Sequence, residues 1–146
     1  MTENEFFPIE LNLRIDWSEM DIFGHVNNVM YMKYVQAARV NYWETIGMDA
    51  NFATKGIGPN LASVTCSFKR PMFYPGTVII KSRIDYIKKT SFGLTHRIYN
   101  DKNELCAEAN DVAVIYDYLK KVPSPIPDWM RSKVEAIEKR KFPLEQ

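Results

Sequence analysis

The sequence contains 146 residues, a length that fits one domain with a single hydrophobic core. Nineteen basic and eighteen acidic residues give a net charge of +1, without the basic stripe that a nucleic-acid-binding protein would carry. No apolar run approaches the length of a membrane span, and the first residues lack the features of a signal peptide. We therefore expect one domain over residues 1–146, cytoplasmic and binding neither nucleic acid nor membrane.

The first regular segment is a predicted strand over residues 6–17. Its apolar residues alternate with polar ones, which is the period of a strand with one buried face. These apolar residues are Ile9, Leu11, Leu13 and Ile15. An acidic segment follows directly, so Asp21 is expected between the end of this strand and the start of a helix.

A turn and a long apolar helix come next. Gly24 permits backbone conformations that other residues avoid, and Asn27 or Asn28 is a suitable helix N-cap. The helix is predicted over residues 28–46, with Gly47 as its C-terminal stop. Because it is apolar nearly all round, it is predicted to be buried as core first and as pocket wall second. Its predicted apolar face consists of Tyr31, Val35, Ala38, Tyr42 and Ile46.

The second half of the sequence is predicted to form strands. Residues 51–60 are predicted to be a loop because glycine and proline interrupt them. Alternation and turn residues then predict strands from residue 61 up to Pro71 and over residues 77–86, 91–99 and 104–119. An extended proline-rich linker and a short helix from about residue 128 complete the chain. One strand, one buried helix and four strands predict an α+β fold whose antiparallel sheet wraps the helix.

Two cysteines and one histidine lie in these predicted strands. Cys66 and Cys106 stand singly, and each is predicted to be a small buried thiol in a reducing compartment, neither a disulfide partner nor a metal ligand. His96 is predicted to be an ordinary packed or surface histidine. No serine lies in a G-x-S-x-G elbow and no cysteine neighbours the turn, which argues against a serine or cysteine nucleophile.

The turn carries the most specific motif of the sequence. Residues 21–31 read D-x-x-G-H-V-N-N-x-x-Y, and the following helix contains Ala37-Ala38-Arg39. This combination resembles the 4-hydroxybenzoyl-CoA thioesterase family, whose members have the hotdog fold, a five-stranded antiparallel sheet around one long helix. The family usually has two aspartates spaced D-x-D. Here Glu19 occupies the first position and Asp21 the second, where the family has its catalytic carboxylate.

The resemblance implies an acyl-CoA thioesterase that releases a free acid and coenzyme A, with no metal or cofactor. Asp21 is implied as general base or nucleophile, and the backbone N–H of Asn28 as the donor to the developing oxyanion. His25 is expected to support Asp21 through an imidazole hydrogen bond within the turn. A general-base role for His25 is the alternative, because its ordinary pKa lies near neutrality.

The resemblance also implies contacts with the substrate and with a second subunit. Gly24 and Tyr31 are expected to contact the substrate, and Lys88 and Lys89 to bind the phosphates of coenzyme A. The competing basic groups are Lys69, Arg70 and those of the C-terminal helix. The helix is apolar on more than one face and a sheet has free edges, so a homodimer or homotetramer is expected. In the family, the site lies between two subunits.

Two other functions are compatible with the sequence. The first is a hotdog hydratase or dehydratase, although the proline-rich dehydratase signature is absent. The second is an acyl-binding protein that has lost turnover, which the Glu19 departure leaves open. The sequence also leaves open the acyl group, coenzyme A or acyl carrier protein as carrier, the exact role of Asp21, and dimer or tetramer.

Overall fold

A computed structural model describes residues 6–143 of the chain. The strands are β1 (Ile9–Arg14), β2 (Ile57–Phe68), β3 (Thr77–Ile87), β4 (Ser91–Tyr99), β5 (Leu105–Asp117) and β6 (Val122–Pro123). The helices are α1 (Asn28–Ile46), α2 (Met48–Lys55) and α3 (Asp128–Glu138). In the part of the chain so described, no helix is long and apolar enough to cross a membrane.

The strands form one antiparallel sheet that curls around α1. The strand order is β1-β3-β4-β5-β2, with the two-residue β6 added beside the end of β5. The five residues of the predicted apolar face of α1 are all 3% exposed or less. The predicted α+β hotdog fold with one long central helix is therefore confirmed. The sheet differs from the expected five strands by the addition of β6.

The ends of α1 lie where local chemistry predicts them. The side chain of Asn27 accepts a hydrogen bond from the N–H of Val29 at 3.0 Å, which caps the first turn. Gly47 adopts a φ of 80°, the left-handed conformation in which glycine commonly ends a helix. Both boundaries follow from residues adjacent in sequence, and both predictions are confirmed.

The loop predicted over residues 51–60 is wrong. The segment contains most of α2 and the start of β2. Met48 anchors α2 because its side chain is buried in the core, and Gly56 ends the helix with a φ of 69°. Pro59 is accommodated inside β2 because this strand lies at the edge of the sheet, where a missing N–H need not break a ladder hydrogen bond.

The first strand is shorter than predicted. β1 ends at Arg14, and Asp16 caps a single 3-10 turn over Trp17–Glu19. The side chain of Asp16 accepts from the N–H of Ser18, and the side chain of Glu19 accepts from the N–H of Asp16. This reciprocal capping box ends the strand before the turn that carries Asp21.

A buried polar cluster holds the middle of α1 to the sheet. The carboxylate Oδ2 of Asp111 accepts from Nε of Arg39 at 2.9 Å and lies 2.7 Å from Nε2 of His96. The other ring nitrogen of His96 is 2.6 Å from the hydroxyl of Ser82. Burial raises the pKa of Asp111, but the hydrogen bonds from His96 and Arg39 outweigh it and hold the pKa below its ordinary value. His96 is thus a packed histidine, as predicted.

This cluster predicts that Arg39→Met destabilises the fold strongly. The change leaves the Asp111 carboxylate buried without its cation, which costs about 3–5 kcal/mol in comparable pairs. The pKa of Asp111 is lowered in the folded state, so the stability that its carboxylate contributes is fully present above the ordinary pKa of 3.8. This stability is lost as the pH falls through the folded-state pKa. Urea unfolding should therefore show a large loss at pH 7 and a smaller one near pH 3. Gln36→Met, on the exposed side of the same helix, is the matched control, and an equal loss there would contradict the role of Arg39.

Candidate active site

The turn between the 3-10 segment and α1 holds the carboxylate of Asp21 in place. Its Oδ1 accepts hydrogen bonds from the backbone N–H of Phe23 at 2.9 Å and of His25 at 3.2 Å. Gly24 has a φ of 84°, which lets its own N–H donate to the carbonyl of Asp21. Among residues 6–143, no hydrogen bond to Oδ2 of Asp21 is formed. This oxygen therefore remains available to a ligand.

The start of α1 offers an N–H group close to this turn. Asn28 is the first helical residue, and its N–H has no hydrogen-bond partner within the described part of the chain. The next N–H, that of Val29, is already capped by Asn27. Met20 and Val26 form an isolated antiparallel bridge, so the two ends of the turn lie side by side. A free donor at the positive end of a helix is suited to binding negative charge.

The imidazole of His25 does not occupy the expected place. Its described contact is an edge-on packing against the ring of Phe73, with the ring centroids 5.3 Å apart. The hydrogen bond to Asp21 comes from the main chain of His25 instead. Phe73 is brought here because the N–H of Val26 donates to the carbonyl of Met72 at 2.9 Å. Phe73 is distant in the chain and lies outside the motif, so no sequence pattern marks it as part of the turn.

Glu19, at the first acidic position of the motif, is committed to the fold. Its side chain is buried and accepts from the Tyr34 hydroxyl at 2.7 Å, from Lys33 Nζ at 2.8 Å and from the N–H of Asp16 at 2.9 Å. Burial raises the pKa of Glu19, and these three hydrogen bonds lower it by more. Its carbonyl also accepts from the N–H of Asn27. Glu19 therefore positions the turn and the start of α1.

The tyrosines of α1 belong to the core of the single chain. Tyr31 is 3% exposed and its ring lies between those of Tyr34 and Phe68, and burial raises the pKa of Tyr31 to about 12. Tyr42 is fully buried near the other end of the helix, where its hydroxyl donates to Glu138. Tyr31, which was expected to contact the substrate, is therefore a core residue of the single chain, as are Tyr34 and Tyr42.

Lys88 and Lys89 lie at the opposite end of β3 from the Asp21 turn. The turn is adjacent to the start of β3, because the N–H of Ile15 donates to the carbonyl of Gly76. The strand has 11 residues, which corresponds to about 35 Å. Nζ of Lys88 lies 5.3 Å from the ring centroid of Tyr86. One chain thus does not bring these lysines to Asp21.

The fold and the turn together define a hotdog protein with a carboxylate beside the free N–H of a helix start. Residues 15–134 match the family described as the thioesterase-like superfamily. The chain is 33% identical over 132 residues to the chloroplastic acyl-acyl carrier protein thioesterase ATL3 of Arabidopsis thaliana, covering 89% of this chain and 68% of that protein. The chain belongs to the thioesterase-like superfamily, and the prediction of a thioesterase of this type is confirmed.

Solved structures show the same fold. The PA2801 protein of Pseudomonas aeruginosa is 26% identical, with a TM-score of 0.80 over 87% of this chain and 98% of that one. A thioesterase from Thermus thermophilus, complexed with coenzyme A and Zn, is 24% identical, with a TM-score of 0.83 over 94% and 99%. In the described residues of this chain, no group of three or more side chains is arranged to hold a metal ion.

The contacts of Glu19 predict that its charge is dispensable for turnover. Glu19→Gln keeps an oxygen that can accept from Tyr34 and Asp16, so we expect nearly unchanged thioester hydrolysis and a loss of stability below about 1 kcal/mol. Glu19→Ala leaves these buried donors unpaired and should cost about 2–3 kcal/mol. Urea unfolding and thiol release measure the two effects. Loss of hydrolysis in folded Glu19→Gln would instead show that Glu19 takes part in the chemistry.

Proposed function

We propose that the chain hydrolyses acyl-CoA thioesters, with Asp21 as general base or nucleophile and the N–H of Asn28 as the oxyanion donor. The observation that carries this assignment is the pairing of a free carboxylate oxygen with a free helix N–H at one turn. Membership of the thioesterase-like superfamily supports the reaction type. The coenzyme A complex of the Thermus thermophilus thioesterase supports coenzyme A as carrier, whereas ATL3 is an acyl-acyl carrier protein thioesterase.

The chemistry requires only these groups. In one route, Oδ2 of Asp21 takes a proton from a water molecule while the water oxygen attacks the thioester carbonyl. In the other, the carboxylate attacks the carbonyl itself and water later hydrolyses the resulting anhydride. Both routes place negative charge on the carbonyl oxygen, which the N–H of Asn28 stabilises. When the tetrahedral intermediate collapses, the C–S bond breaks and coenzyme A leaves as its thiolate. The thiolate takes up the proton held by Asp21 in the first route and a proton from water in the second, so the products are a carboxylic acid and the thiol of coenzyme A.

A homodimer formed through the free edge of β2 is the second part of the proposal. β2 is 12 residues long, pairs with β5 on one side and presents its other side to solvent. Its apolar side chains Leu61 and Phe68 are 40% and 51% exposed, which is unfavourable for an isolated edge strand. Lys88 and Lys89 of one subunit would then bind the coenzyme A phosphates of a substrate attacked by the partner's Asp21.

A cytoplasmic location is also part of the proposal. Cys66 and Cys106 are both free in the structure, and Cys106 is fully buried. Burial raises the pKa of each thiol, which keeps it protonated and unreactive. Free, unreactive thiols are usual in a reducing compartment.

The Asp21 assignment predicts that Asp21→Asn lowers kcat for acyl-CoA hydrolysis at least a hundredfold, about 3 kcal/mol in the barrier. The amide preserves the shape of the side chain but is neither a base nor a nucleophile. His25→Asn is the matched control, because the hydrogen bond from residue 25 comes from its backbone, and it should retain a substantial part of the activity and the shape of the pH–rate profile. Thiol release from a panel of acyl-CoA substrates measures both. Near-normal turnover of Asp21→Asn would overturn the assignment, and an equally inactive, folded His25→Asn would require a shared role.

The proposed assembly predicts a particle mass of a dimer or larger at assay concentration. Lys88→Ala/Lys89→Ala should raise KM for acyl-CoA at least severalfold without changing this mass, since the lysines lie in the β3–β4 turn and not on β2. Light scattering during the assay, together with steady-state kinetics, provides the measurement. A fully active monomer would refute the dimer, and an unchanged KM would refute the role of the lysines.

A further inference from the structure

An open, groove-like apolar cavity of about 300 Å³ lies at the C-terminal end of α1. It is bounded by α1, α2, the start of β2 and the segment after β5. Its apolar lining consists of Val40, Trp43, Met48, Phe52, Pro59 and Tyr118. Its volume is at the lower end of the range of ligand pockets. None of these residues takes part in the chemistry proposed above.

The walls of the cavity are held in place by specific contacts. The hydroxyl of Tyr118 donates to the carbonyl of Pro59 at 2.8 Å, so the phenol ring faces the cavity with its polar group already satisfied. The ring of Phe52 packs edge-on against Tyr118, with 5.5 Å between the centroids. Met48 is 2% exposed, whereas Val40 and Phe52 are 41% and 46% exposed. The cavity thus has a buried floor and an accessible apolar entrance.

The charges at the entrance are both negative. Glu44 and Asp49 are exposed and complete the lining. A carboxylate or phosphate entering here would be repelled by both residues and would meet no hydrogen-bond donor among the lining side chains except Trp43 and Tyr118. The tyrosine hydroxyl already donates to Pro59. The site therefore suits an uncharged hydrocarbon chain.

The cavity is distant from the Asp21 turn of its own chain. Asn28 and Glu44 stand at the two ends of α1, separated by about 24 Å at the usual helical rise. Antiparallel pairing of β2 with the partner's β2, about a two-fold axis at the middle of the strand, would bring the cavity of one chain closer to the Asp21 turn of the other. In that pairing Pro59 would lie about 5 Å from the partner's Cys66. Cys66 is two residues before Phe68 in the same strand. Phe68 contacts Tyr31, which lies one turn from the start of α1.

We propose that this cavity binds the hydrocarbon tail of an acyl group whose thioester carbonyl lies at the partner's Asp21. The inference rests on the proposed hydrolysis and on the dimer through β2. It names the substrate class as thioesters of uncharged acyl chains long enough to reach across the subunit boundary. Chains that end in a carboxylate are excluded by Glu44 and Asp49. The kcat/KM of the wild type should rise with chain length, by up to about fourfold per methylene buried.

The first test fills the cavity. Val40→Phe adds volume at its entrance, and we expect the ratio of kcat/KM for decanoyl-CoA over acetyl-CoA to fall at least tenfold. Thr45→Phe adds the same ring to an exposed position of the same helix outside the cavity, and should leave that ratio unchanged. Phe52→Ala, which removes a wall, should lower the ratio as well. An unchanged ratio in Val40→Phe and Phe52→Ala, or an equal fall in Thr45→Phe, would overturn the proposal.

The second test reverses the charge at the entrance. The wild type should hydrolyse decanoyl-CoA at least tenfold more efficiently than a ten-carbon acyl-CoA that ends in a carboxylate. Glu44→Lys/Asp49→Lys should remove most of this preference. Equal use of both substrates by the wild type, or an unchanged preference in the double variant, would contradict the role of the acidic pair.

The third test asks which subunit supplies the cavity. Asp21→Asn and Val40→Phe chains are mixed and allowed to exchange, which is verified by mass. If the cavity serves the partner's Asp21, each mixed dimer has one intact site, and decanoyl-CoA hydrolysis recovers to about a quarter of the wild-type value. No recovery after verified exchange would refute the sharing of the cavity.

The outcomes separate this inference from the proposed function. If the wild type releases no thiol from any acyl-CoA, or if Asp21→Asn is fully active, the proposed hydrolysis or its site is wrong. If Asp21→Asn is inactive while Val40→Phe leaves the chain-length profile unaltered, the hydrolysis stands and the tail site is refuted.

Discussion

Burial of α1 is the constraint on which the rest of the structure depends. The helix is apolar nearly all round, and a single curled sheet covers only part of its circumference. Arg39 fixes its middle to Asp111 on β5, and the caps at Asn27 and Gly47 fix its length. The position of the first helical N–H relative to the sheet follows from these contacts. The side of α1 that the sheet does not cover and the free edge of β2 then favour a second subunit.

The two carboxylates of the turn have different roles because their surroundings differ. Glu19 is buried, and all its strong hydrogen bonds connect the 3-10 turn with α1. Asp21 is bound on one oxygen only, by backbone groups of its own turn. Both carboxylate oxygens of Glu19 are hydrogen-bonded within the fold, whereas Oδ2 of Asp21 is left for a reaction partner. Replacement of the usual first aspartate by glutamate therefore leaves the proposed reactive group intact.

Sequence predicted best what local chemistry decides. The bounds of α1 follow from an asparagine and a glycine next to its ends, and the bounds of β4 from the polar segments on either side of it. The helix α2 has no comparable local signal, because it is short and depends on Met48 being buried by distant residues. The position of the His25 ring has no local signal either, since Phe73 approaches it from the connection between β2 and β3. The cluster around Asp111 joins α1 to three strands, and no local pattern encodes such a contact.

The separation of features along one chain is itself an argument for a shared site. The N–H of Tyr118 donates to the carbonyl of Gly56, and the N–H of Ile126 donates to the carbonyl of Lys89. The apolar cavity and the two lysines therefore lie at the same end of the sheet, opposite the turn that carries Asp21. An acyl-CoA carries its phosphates on one side of the thioester carbonyl and its acyl chain on the other, so both features have to lie within reach of a substrate held at the reacting carboxylate. A two-fold dimer through β2 would bring the cavity and the lysines of one subunit to the Asp21 turn of its partner. This explanation is simpler than two separate rearrangements within one chain.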